Sequence, residues 1–415
     1  MRKRTKLIRL AVFLFLLGLF NVHGFSQSDE ENPNIMSENT LPNLSRRKII
    51  TENRFLEVAS DVQGVALRGT WEYKHDYKIT FLRLHVRAVN LPADNSWSLQ
   101  IKDSNGRLID TLTKDSFFKN PKLNTDSNEL EAWSKLVWDT ETSVELRSKT
   151  PPCVEGNPDS LCVEIDQVNY SFLRPASQAI TTKKNDMRDL IDAYRKDHKY
   201  YRYSQPTAII FFLTDKVKNE SNCTGFLLTP TLLVTNNHCI SQLWQTKSAE
   251  VRFGYETGSV KTNTAQISKI EMTNPQLDFS LLRLASMSNP QPIAKIELKP
   301  VTEDQQLVLI EYPNARTKTI SLIGCVVQYT DAGNEGQGQN DFYHLCDTEG
   351  GASGSPVFDE KTGRVVGIHH LGIPRENNEG RNLAVKITSV MSKIEQMSKI
   401  KLEYKKLFDE IKQYQ

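Results

Sequence analysis

Three residues in the second half of the chain have side chains suited to nucleophilic catalysis. Ser353 stands in the run Glu349-Gly350-Gly351-Ala352-Ser353-Gly354-Ser355-Pro356. A serine hydroxyl attacks an acyl carbon poorly unless a neighbouring base removes its proton. His238 offers the side chain of such a base, and Asp278, within the apolar run Leu277–Leu282, could orient its imidazole. Their order along the chain, His before Asp before Ser, is one of the known orders for this triad.

The glycines around Ser353 add an anion-binding site to this set. Gly350 and Gly351 let the backbone turn tightly, so the amide N–H groups of Gly351 and Ser353 could form an oxyanion hole. Gly354 would let the chain pass close beneath a substrate. Taken singly, each feature has an ordinary structural interpretation: a Gly-x-Ser-Gly turn, a core histidine or an ion-paired aspartate. Their order and spacing and the neighbouring cysteines favour catalysis.

These motifs resemble those of the chymotrypsin-like serine peptidases, and within them the bacterial glutamyl endopeptidase branch. The resemblance covers residues 205–390 and implies a double β-barrel with the triad at the junction of the barrels. The ending Gly354-Ser355-Pro356 is similar to the glutamyl branch. Trypsin-type enzymes have an aspartate where this chain has Ala352, and no Ile-Val-Gly-Gly start precedes Thr207. Activation by insertion of a new N-terminus is therefore not expected.

The resemblance also indicates a substrate pocket. The run Val366-Gly367-Ile368-His369 is similar to the strand that lines the pocket of glutamyl endopeptidases, and Thr348 matches its second position. A hydroxyl and an imidazole could both hydrogen-bond a substrate carboxylate, which predicts cleavage after acidic residues. The alternative is that His369-His370 is a generic feature of bacterial relatives with unknown preference. His370 would then either point outward or cap the loop 371–380.

The N-terminus predicts export. Five basic residues within the first nine positions precede the apolar run Leu10–Phe20, and the small residues Gly24 and Ser26 follow. This layout predicts a signal peptide over residues 1–26 and a secreted or periplasmic protein, with an uncleaved anchor as the alternative. No later segment is long and apolar enough to span a membrane. The formal net charge of +2 includes those five residues, so the mature chain is weakly acidic and no nucleic-acid partner is expected.

Six cysteines follow the signal segment, an even number in an exported chain. Their grouping suggests three local disulfides, with free buried thiols as the alternative: Cys153–Cys162, Cys223–Cys239 and Cys325–Cys346. The pair Cys223–Cys239 matches the bridge that the resemblance implies beside the catalytic histidine. The sequence predicts neither a metal site nor a cofactor, although calcium ligands from loops leave no firm trace.

The organisation before the peptidase-like region is predicted from composition and periodicity. Residues 27–60 are polar and indicate a disordered lead or propeptide, in which Arg46-Arg47-Lys48 is a candidate processing site. Residues 61–178 alternate with period two, as in Leu82–Ala88, and Asn105-Gly106 marks a hairpin turn. We predict a small β-sandwich there, with a structural or binding role.

Helices are predicted at two places. Apolar residues at helical spacing between 183 and 199 predict a helical connector over 179–204, capped by Asn185 or Asp186. The peptidase-like region 205–390 begins with the strand Thr207–Leu213. A heptad stripe from Met397 to Tyr414 predicts a C-terminal helix over 391–415. That helix either packs on its own protein or forms a coiled-coil dimer.

The sequence thus predicts a mostly β fold: a chymotrypsin-like double barrel preceded by a sandwich, with a helical connector and a C-terminal helix. The predicted function is hydrolysis of peptide bonds in protein or peptide substrates by a secreted serine endopeptidase. The alternative is a catalytically silent adhesion or binding protein on the same scaffold. An esterase is disfavoured because the serine comes first in the hydrolase fold.

Overall fold

The fold is known from a computed structural model. The described residues are 46–49, 59–60, 67–75, 80–89, 91, 96–118, 130–149, 161–171, 179–180, 187–214, 220–257, 262–285, 287, 289–373 and 381–415. The predicted signal peptide, Cys153 and the candidate caps Asn185 and Asp186 lie outside these ranges.

The N-terminal half forms two antiparallel sheets that pack face to face. The first sheet has the order β1 (Arg46–Ile49), β9 (Cys162–Ser171), β4 (Phe81–Val89), β7 (Leu130–Trp133). The second has the order β2 (Ala59–Ser60), β3 (Leu67–Lys74), β8 (Glu141–Ser148), β5 (Trp97–Asp103), β6 (Leu108–Leu112). A short 3-10 turn covers Lys114–Ser116. We call this pair of sheets the sandwich.

The sandwich core follows the predicted alternation. Leu82 and Leu84 on β4 and Leu99 and Ile101 on β5 point into one apolar cluster and are fully buried. The turn between β5 and β6 contains Gly106 with φ of 73°, a left-handed conformation that costs glycine little. The hairpin expected at Asn105-Gly106 is therefore present.

Two segments of the predicted disordered lead are strands. Arg46–Ile49 pairs antiparallel with residues 167–170 of β9, and Ala59–Ser60 pairs with Leu67–Arg68 of β3. The disorder prediction was wrong for these residues because polar segments can hydrogen-bond as edge strands without contributing to a core. The candidate processing site at Arg46–Lys48 thus lies within a paired strand.

The connector does not form the continuous helix predicted between 183 and 199. Residues 179–180 form strand β10, and Arg188–Asp189 forms β11, which pairs with residues 319–320 of a later strand. Helix α1 (Leu190–Ala193) then has a single turn, capped by the Asp189 side chain, and helix α2 covers Lys199–Ser204. The apolar spacing was misleading because Asp189 caps a new helix start inside the pattern.

The C-terminal half is built on two larger sheets. The first has the order β16 (Asn263–Ala265), β15 (Glu250–Phe253), β12 (Thr207–Leu213), β13 (Glu220–Leu227), β14 (Leu232–Thr235), β18 (Phe279–Leu284), β17 (Ile267–Asn274). The second has the order β11, β20 (Thr319–Ser321), β19 (Leu307–Glu311), β24 (Pro356–Asp359), β25 (Val365–Ile373), β26 (Arg381–Lys386), β22 (Asp341–His344), β21 (Val327–Tyr329). β10 pairs with β23 (Thr348–Glu349). The mostly β fold class predicted from the sequence is confirmed.

Helices are few in this half. Helix α3 (Leu243–Ser248) lies after β14, and 3-10 turns cover Pro313–Ala315, Gly333–Glu335 and Gly338–Asn340. The predicted C-terminal helix is present but divided into α4 (Ile387–Ser398) and α5 (Leu402–Tyr414). Leu407 and Ile411 pack into the apolar cluster that the two sheets share, so the heptad stripe packs on its own protein. Among the helices of the described residues, none combines the length and apolar character that a bilayer crossing requires.

The outward face of β4 is buried against the first C-terminal sheet. Arg83 of β4 places Nε 2.7 Å from the Glu220 carboxylate of β13, and both side chains are at most 1% exposed. Arg83 also donates to the backbone oxygen of Ser248. Phe81 and Trp138 of the sandwich each make an edge-on ring contact with Phe211 and a tilted contact with each other. We call this contact the sandwich–barrel interface.

The Arg83–Glu220 pair should be essential to the stability of that interface. Burial raises the pKa of Glu220 to about 7, with Arg83 opposing the shift. We expect Arg83→Met to lower the free energy of unfolding by about 3–5 kcal/mol, because an uncompensated buried carboxylate remains. Chemical denaturation measures this. Arg83→Met combined with Glu220→Gln should recover most of the loss, while Arg107→Met at an exposed pair with Asp103 should cost little. Equal effects at Arg83 and Arg107 would contradict the assignment.

Candidate active site

His238 is held next to β14 by a disulfide. Strand β14 ends at Thr235, and Cys239 directly after His238 is bonded to Cys223 of β13, 16 residues earlier. A second disulfide joins Cys325 and Cys346. The expected presence of disulfide bonds is thus confirmed. Cys162 is also disulfide-bonded, although its expected partner Cys153 lies outside the described residues.

The imidazole of His238 and the carboxylate of Asp278 form one hydrogen-bonded unit. His238 Nδ1 lies 2.7 Å from Asp278 Oδ2, and the His238 backbone N–H donates to Oδ1 at 3.0 Å. Both side chains are at most 4% exposed. Since Nδ1 faces an ionised carboxylate, it carries the proton, which leaves Nε2 as the basic nitrogen. Nε2 is buried and has no hydrogen-bond partner in the described structure.

Asp278 is fixed by its backbone and by its charge. It adopts a left-handed conformation with φ of 45°, which is uncommon for a residue other than glycine. Its carbonyl accepts from Asn236 Nδ2 at 2.7 Å. Burial opposes ionisation of the carboxyl, but His238 and His370 outweigh it and lower the pKa of Asp278 to about 2. The carboxylate is therefore ionised at every pH at which His238 could act as a base.

The loop that carries Ser353 is bonded to the same part of the first sheet. Thr224, the neighbour of Cys223, donates its N–H to the Ser353 carbonyl at 2.8 Å and its hydroxyl to the Gly351 carbonyl at 2.9 Å. A Cβ on Gly354 would lie 2.0 Å from the Thr224 carbonyl oxygen, so only glycine fits there. Ser353 is thereby tied through Thr224 and the Cys223–Cys239 bond to the residue after His238. The side chain of Ser353 is half-buried.

Two peptide planes in this loop have fixed orientations. The Gly350 carbonyl accepts the Asn314 N–H at 2.6 Å, and the Ala352 carbonyl accepts the Ser355 N–H at 2.9 Å. In a trans peptide the carbonyl and the following N–H point in opposite directions. The N–H groups of Gly351 and Ser353 therefore point away from these anchors, and within the described part of the chain neither donates a hydrogen bond.

The anchor at Asn314 is a strained turn. Asn314 and Ala315 both have positive φ, 47° and 55°. The amide of Asn222 holds the turn by donating to the Tyr312 carbonyl and accepting from the Ala315 N–H. Asn314 also donates its side-chain N–H to the Glu349 carboxylate at 2.8 Å. Sequence reasoning missed this turn because no residue in it has catalytic chemistry; Asn314 after Pro313 was its only local signal.

Both residues of the predicted substrate pocket have partners within the protein. The Thr348 hydroxyl donates to Asn382 Oδ1 at 2.8 Å, so it is not a free donor as the sequence suggested. His369 Nδ1 lies 3.1 Å from His344 Nε2, and both rings are buried. Burial, with the nearby histidines acting in the same direction, lowers the pKa of His369 well below its usual value and that of His344 to about 3. The His344–His369 pair is therefore uncharged.

Neither position considered for His370 is correct. The residue does not point outward, because its ring is 2% exposed, and among the described residues its two ring nitrogens face carboxylates rather than a loop. Nε2 is 3.0 Å from Asp341 Oδ2, and Nδ1 is 3.6 Å from Asp278 Oδ2. A bulge in the pairing of β25 with β26 falls between His369 and Leu371, which breaks the simple alternation of faces. Asp341 was absent from the sequence analysis because nothing near it in the chain suggests this contact.

Cys223, His238 and Cys239 are the one group of metal-type ligands within the described ranges. The two sulfurs are joined in a disulfide, so these residues do not offer thiolate ligands. The arrangement suits proton transfer and acyl chemistry.

Residues 223–368 match the family model of the trypsin-like peptidase domain. The matched residues include His238, Asp278 and Ser353, so the sequence match and the hydrogen-bonded geometry fall on the same part of the chain. The match supports a trypsin-like peptidase. We call residues 223–368 the peptidase region from here on. It leaves the sandwich outside its bounds.

Two curated relatives are similar to parts of the chain. An uncharacterised protein, y4fB, from Sinorhizobium fredii is 32% identical over 169 residues, which cover 36% of this chain and 25% of the relative. The chain therefore spans only a quarter of that relative's length. A protein named secreted RxLR effector protein 73 from Plasmopara viticola is 24% identical over 316 residues, covering 70% of this chain and 75% of the relative.

Solved structures of bacterial proteases are also similar. The active form of the Rv3671c protease from M. tuberculosis is 17% identical with a TM-score of 0.36, covering 52% of this chain and 89% of that one. A serine endoprotease from Yersinia pestis is 17% identical with a TM-score of 0.37, covering 48% and 66%.

The disulfide beside His238 should stabilise the fold and the site together. Replacing Cys223 and Cys239 by serine opens a loop of about 15 residues, for which we expect a loss of roughly 3 kcal/mol. Thermal unfolding measures this loss. Replacing Cys325 and Cys346 by serine provides the control, because it opens a loop of similar length away from His238. A non-reducing peptide map that joined Cys223 to Cys325 would contradict both pairings.

Proposed function

We propose that this protein is an exported serine endopeptidase in which Ser353, His238 and Asp278 form the catalytic triad. The observation that carries the proposal is the buried His238–Asp278 hydrogen bond, which leaves His238 Nε2 unpartnered in a region tied to the Ser353 loop. A short bond between Nε2 and the serine hydroxyl is not required before substrate binds, since such contacts often tighten only in the complex.

The chemistry follows from these positions. His238 Nε2 takes the proton of the Ser353 hydroxyl as it attacks the scissile carbonyl, and later returns it to the leaving amine. Asp278 keeps the other proton on Nδ1 and stabilises the imidazolium that forms. The oxyanion binds the N–H groups of Gly351 and Ser353, whose peptide planes are preset by Asn314 and Ser355. Water then releases the acyl group from Ser353 by the same proton transfers.

Export is proposed from the N-terminus and the cysteines together. The first 26 residues have the layout of a signal peptide, and the disulfides Cys223–Cys239 and Cys325–Cys346 are typical of an oxidising compartment. Mass spectrometry of the N-terminus of the exported protein tests this point. A protein that retains residues 1–26 would contradict it.

Replacing the nucleophile tests the reaction class. Ser353→Ala should lower peptide hydrolysis by at least about 10⁴-fold while leaving the unfolding temperature nearly unchanged, because it removes one oxygen atom from a half-buried side chain. The assay is cleavage of a diverse peptide library, with fluorophosphonate labelling of Ser353 as a second readout. Ser268→Ala, on an exposed part of the first C-terminal sheet, is the matched control. A library left intact by the wild type, with no labelling, would favour the silent binding protein instead.

We further propose that the peptidase region prefers acidic residues before the cut, with His369 as the recognising group. His369 and His344 form a buried, uncharged pair, and the resemblance to glutamyl endopeptidases supports His369 as part of the substrate pocket. A substrate carboxylate brought against this pair favours its protonated form, so binding takes up a proton. The Thr348 hydroxyl contributes to binding of the substrate carboxylate only if it gives up its hydrogen bond to Asn382. The preference should therefore grow as the pH falls.

Matched peptides that differ only in Glu or Gln before the cut separate this effect from general catalysis. Both substrates depend on His238 in the same way. The ratio of their kcat/KM values therefore removes the contribution of His238 to the pH dependence. We expect the Glu/Gln ratio to rise as the pH falls from 8 toward 6, and His369→Ala to reduce it by about tenfold or more, since a charged hydrogen bond contributes roughly 1.5–3 kcal/mol. A ratio near one at every pH, or a preference for Lys and Arg, would remove the acidic preference.

A further inference from the structure

A third buried histidine lies directly behind the His238–Asp278 pair. The ring of His370 has a carboxylate at each nitrogen, Asp341 Oδ2 at 3.0 Å from Nε2 and Asp278 Oδ2 at 3.6 Å from Nδ1. All three side chains are at most 2% exposed. They come from three separate elements: the loop before β18, the start of β22 and the middle of β25.

Asp278 uses its two oxygens differently. Oδ1 accepts the backbone N–H of His238, while Oδ2 faces both His238 Nδ1 and His370 Nδ1. If the Asp278 carboxylate could rotate, it would lose the contacts of Oδ2 before the contact of Oδ1, because Oδ2 contacts only side chains. His370 is itself held from behind, because Asp341 Oδ2 also accepts the Gln337 N–H at 2.8 Å.

We propose that His370 is a positioning residue for Asp278: clamped between Asp278 and Asp341, its ring holds the Asp278 carboxylate in the orientation that receives the Nδ1 proton of His238. This inference rests on the proposed peptidase function.

The charges around the ring agree with this role. Burial opposes a charged ring, but Asp341 and Asp278 outweigh it and raise the pKa of His370 to about 10. Two buried carboxylates thus share one cation, which avoids an uncompensated charge beside the base. The other titratable groups that face this cluster are His238, the uncharged rings of His344 and His369, and Lys386 near Asp341.

The cation also adjusts how strongly Asp278 acts on His238. A positive charge beside Oδ2 weakens the pull of the carboxylate on a protonated imidazole. The expected result is a peptidase that keeps its activity to lower pH.

The test replaces His370 by glutamine, which keeps hydrogen-bonding capacity without charge. We expect His370→Gln to lower kcat by roughly 10- to 100-fold with a smaller effect on KM, because the base is misplaced while substrate contacts remain. The acid limb of the pH profile of kcat/KM should move to higher pH by up to about one unit. An unchanged limb would overturn the proposal.

A second variant covers the case in which His370→Gln fails to fold. Combining it with Asp341→Asn removes the unpaired buried charge, so stability should return while the lower kcat and the shifted limb persist. Recovery of kcat and of the limb in the double variant would show a purely structural role and overturn the proposal. His85→Gln is the matched control, because His85 in the sandwich also lies between two carboxylates, Asp166 at 2.5 Å and Glu131 at 3.4 Å. His85→Gln should lower the stability of the protein but leave the acid limb of the kcat/KM profile in place.

Nuclear magnetic resonance of the Ser353→Ala protein tests the positioning role of His370 without requiring any peptide hydrolysis. The His370 ring should remain protonated between about pH 5 and pH 9, and His370→Gln should shift the low-field signal of His238 Nδ1–H. A neutral His370 at pH 7, or an unmoved His238 signal, overturns the inference even if the wild type hydrolyses peptides. Conversely, wild-type protein that hydrolyses no peptide while showing both signals would refute the peptidase function and leave the clamp intact.

Discussion

The site depends on Thr224, a residue of β13 that lies where the two C-terminal sheets meet. Its N–H and hydroxyl bond the Ser353 and Gly351 carbonyls, its hydroxyl accepts the Tyr312 N–H, and its carbonyl accepts the Thr235 hydroxyl. Thr224 is fully buried, so none of these groups can turn to water instead. Strand β13 thereby fixes the Ser353 loop relative to β14, which leads to His238. The Cys223–Cys239 bond adds a covalent link across the same pair of strands.

A second constraint is that the buried charges at two places in the described structure are compensated by a charge of opposite sign. Asp278, His370 and Asp341 alternate in sign along one line behind His238, and Arg83 faces Glu220 at the sandwich–barrel interface. Each group is almost fully buried, where a lone charge would cost several kcal/mol. The folded pKa of His370, about 10, lies above its usual value of 6.5. Its contribution to stability is therefore complete below about pH 6.5 and is lost as the pH rises through about 10.

The sequence predicted the parts of the site whose chemistry is local. The candidates His238, Asp278 and Ser353 stood out by type and order, and the alternation in Leu82–Ala88 predicted the sandwich strands. Residues that act through distant contacts could not be found in this way. Asp341 is 29 residues from His370, and Asn314 binds Gly350 from a turn whose left-handed backbone no propensity indicates. The connector helix failed because Asp189 restarts the helix inside an apolar pattern.

The burial of the outward face of β4 bears on what the sandwich can do. Arg83 and His85 are the polar residues in the alternation of Leu82–Ala88, yet both are buried. Burying an arginine this deeply is stable only with a partner, and Glu220 at the start of β13 is that partner. Separation of the two halves would expose Phe211 and leave Glu220 without its cation. The outward face of β4 is thus occupied by the first C-terminal sheet, and any ligand of the sandwich must bind to another of its faces.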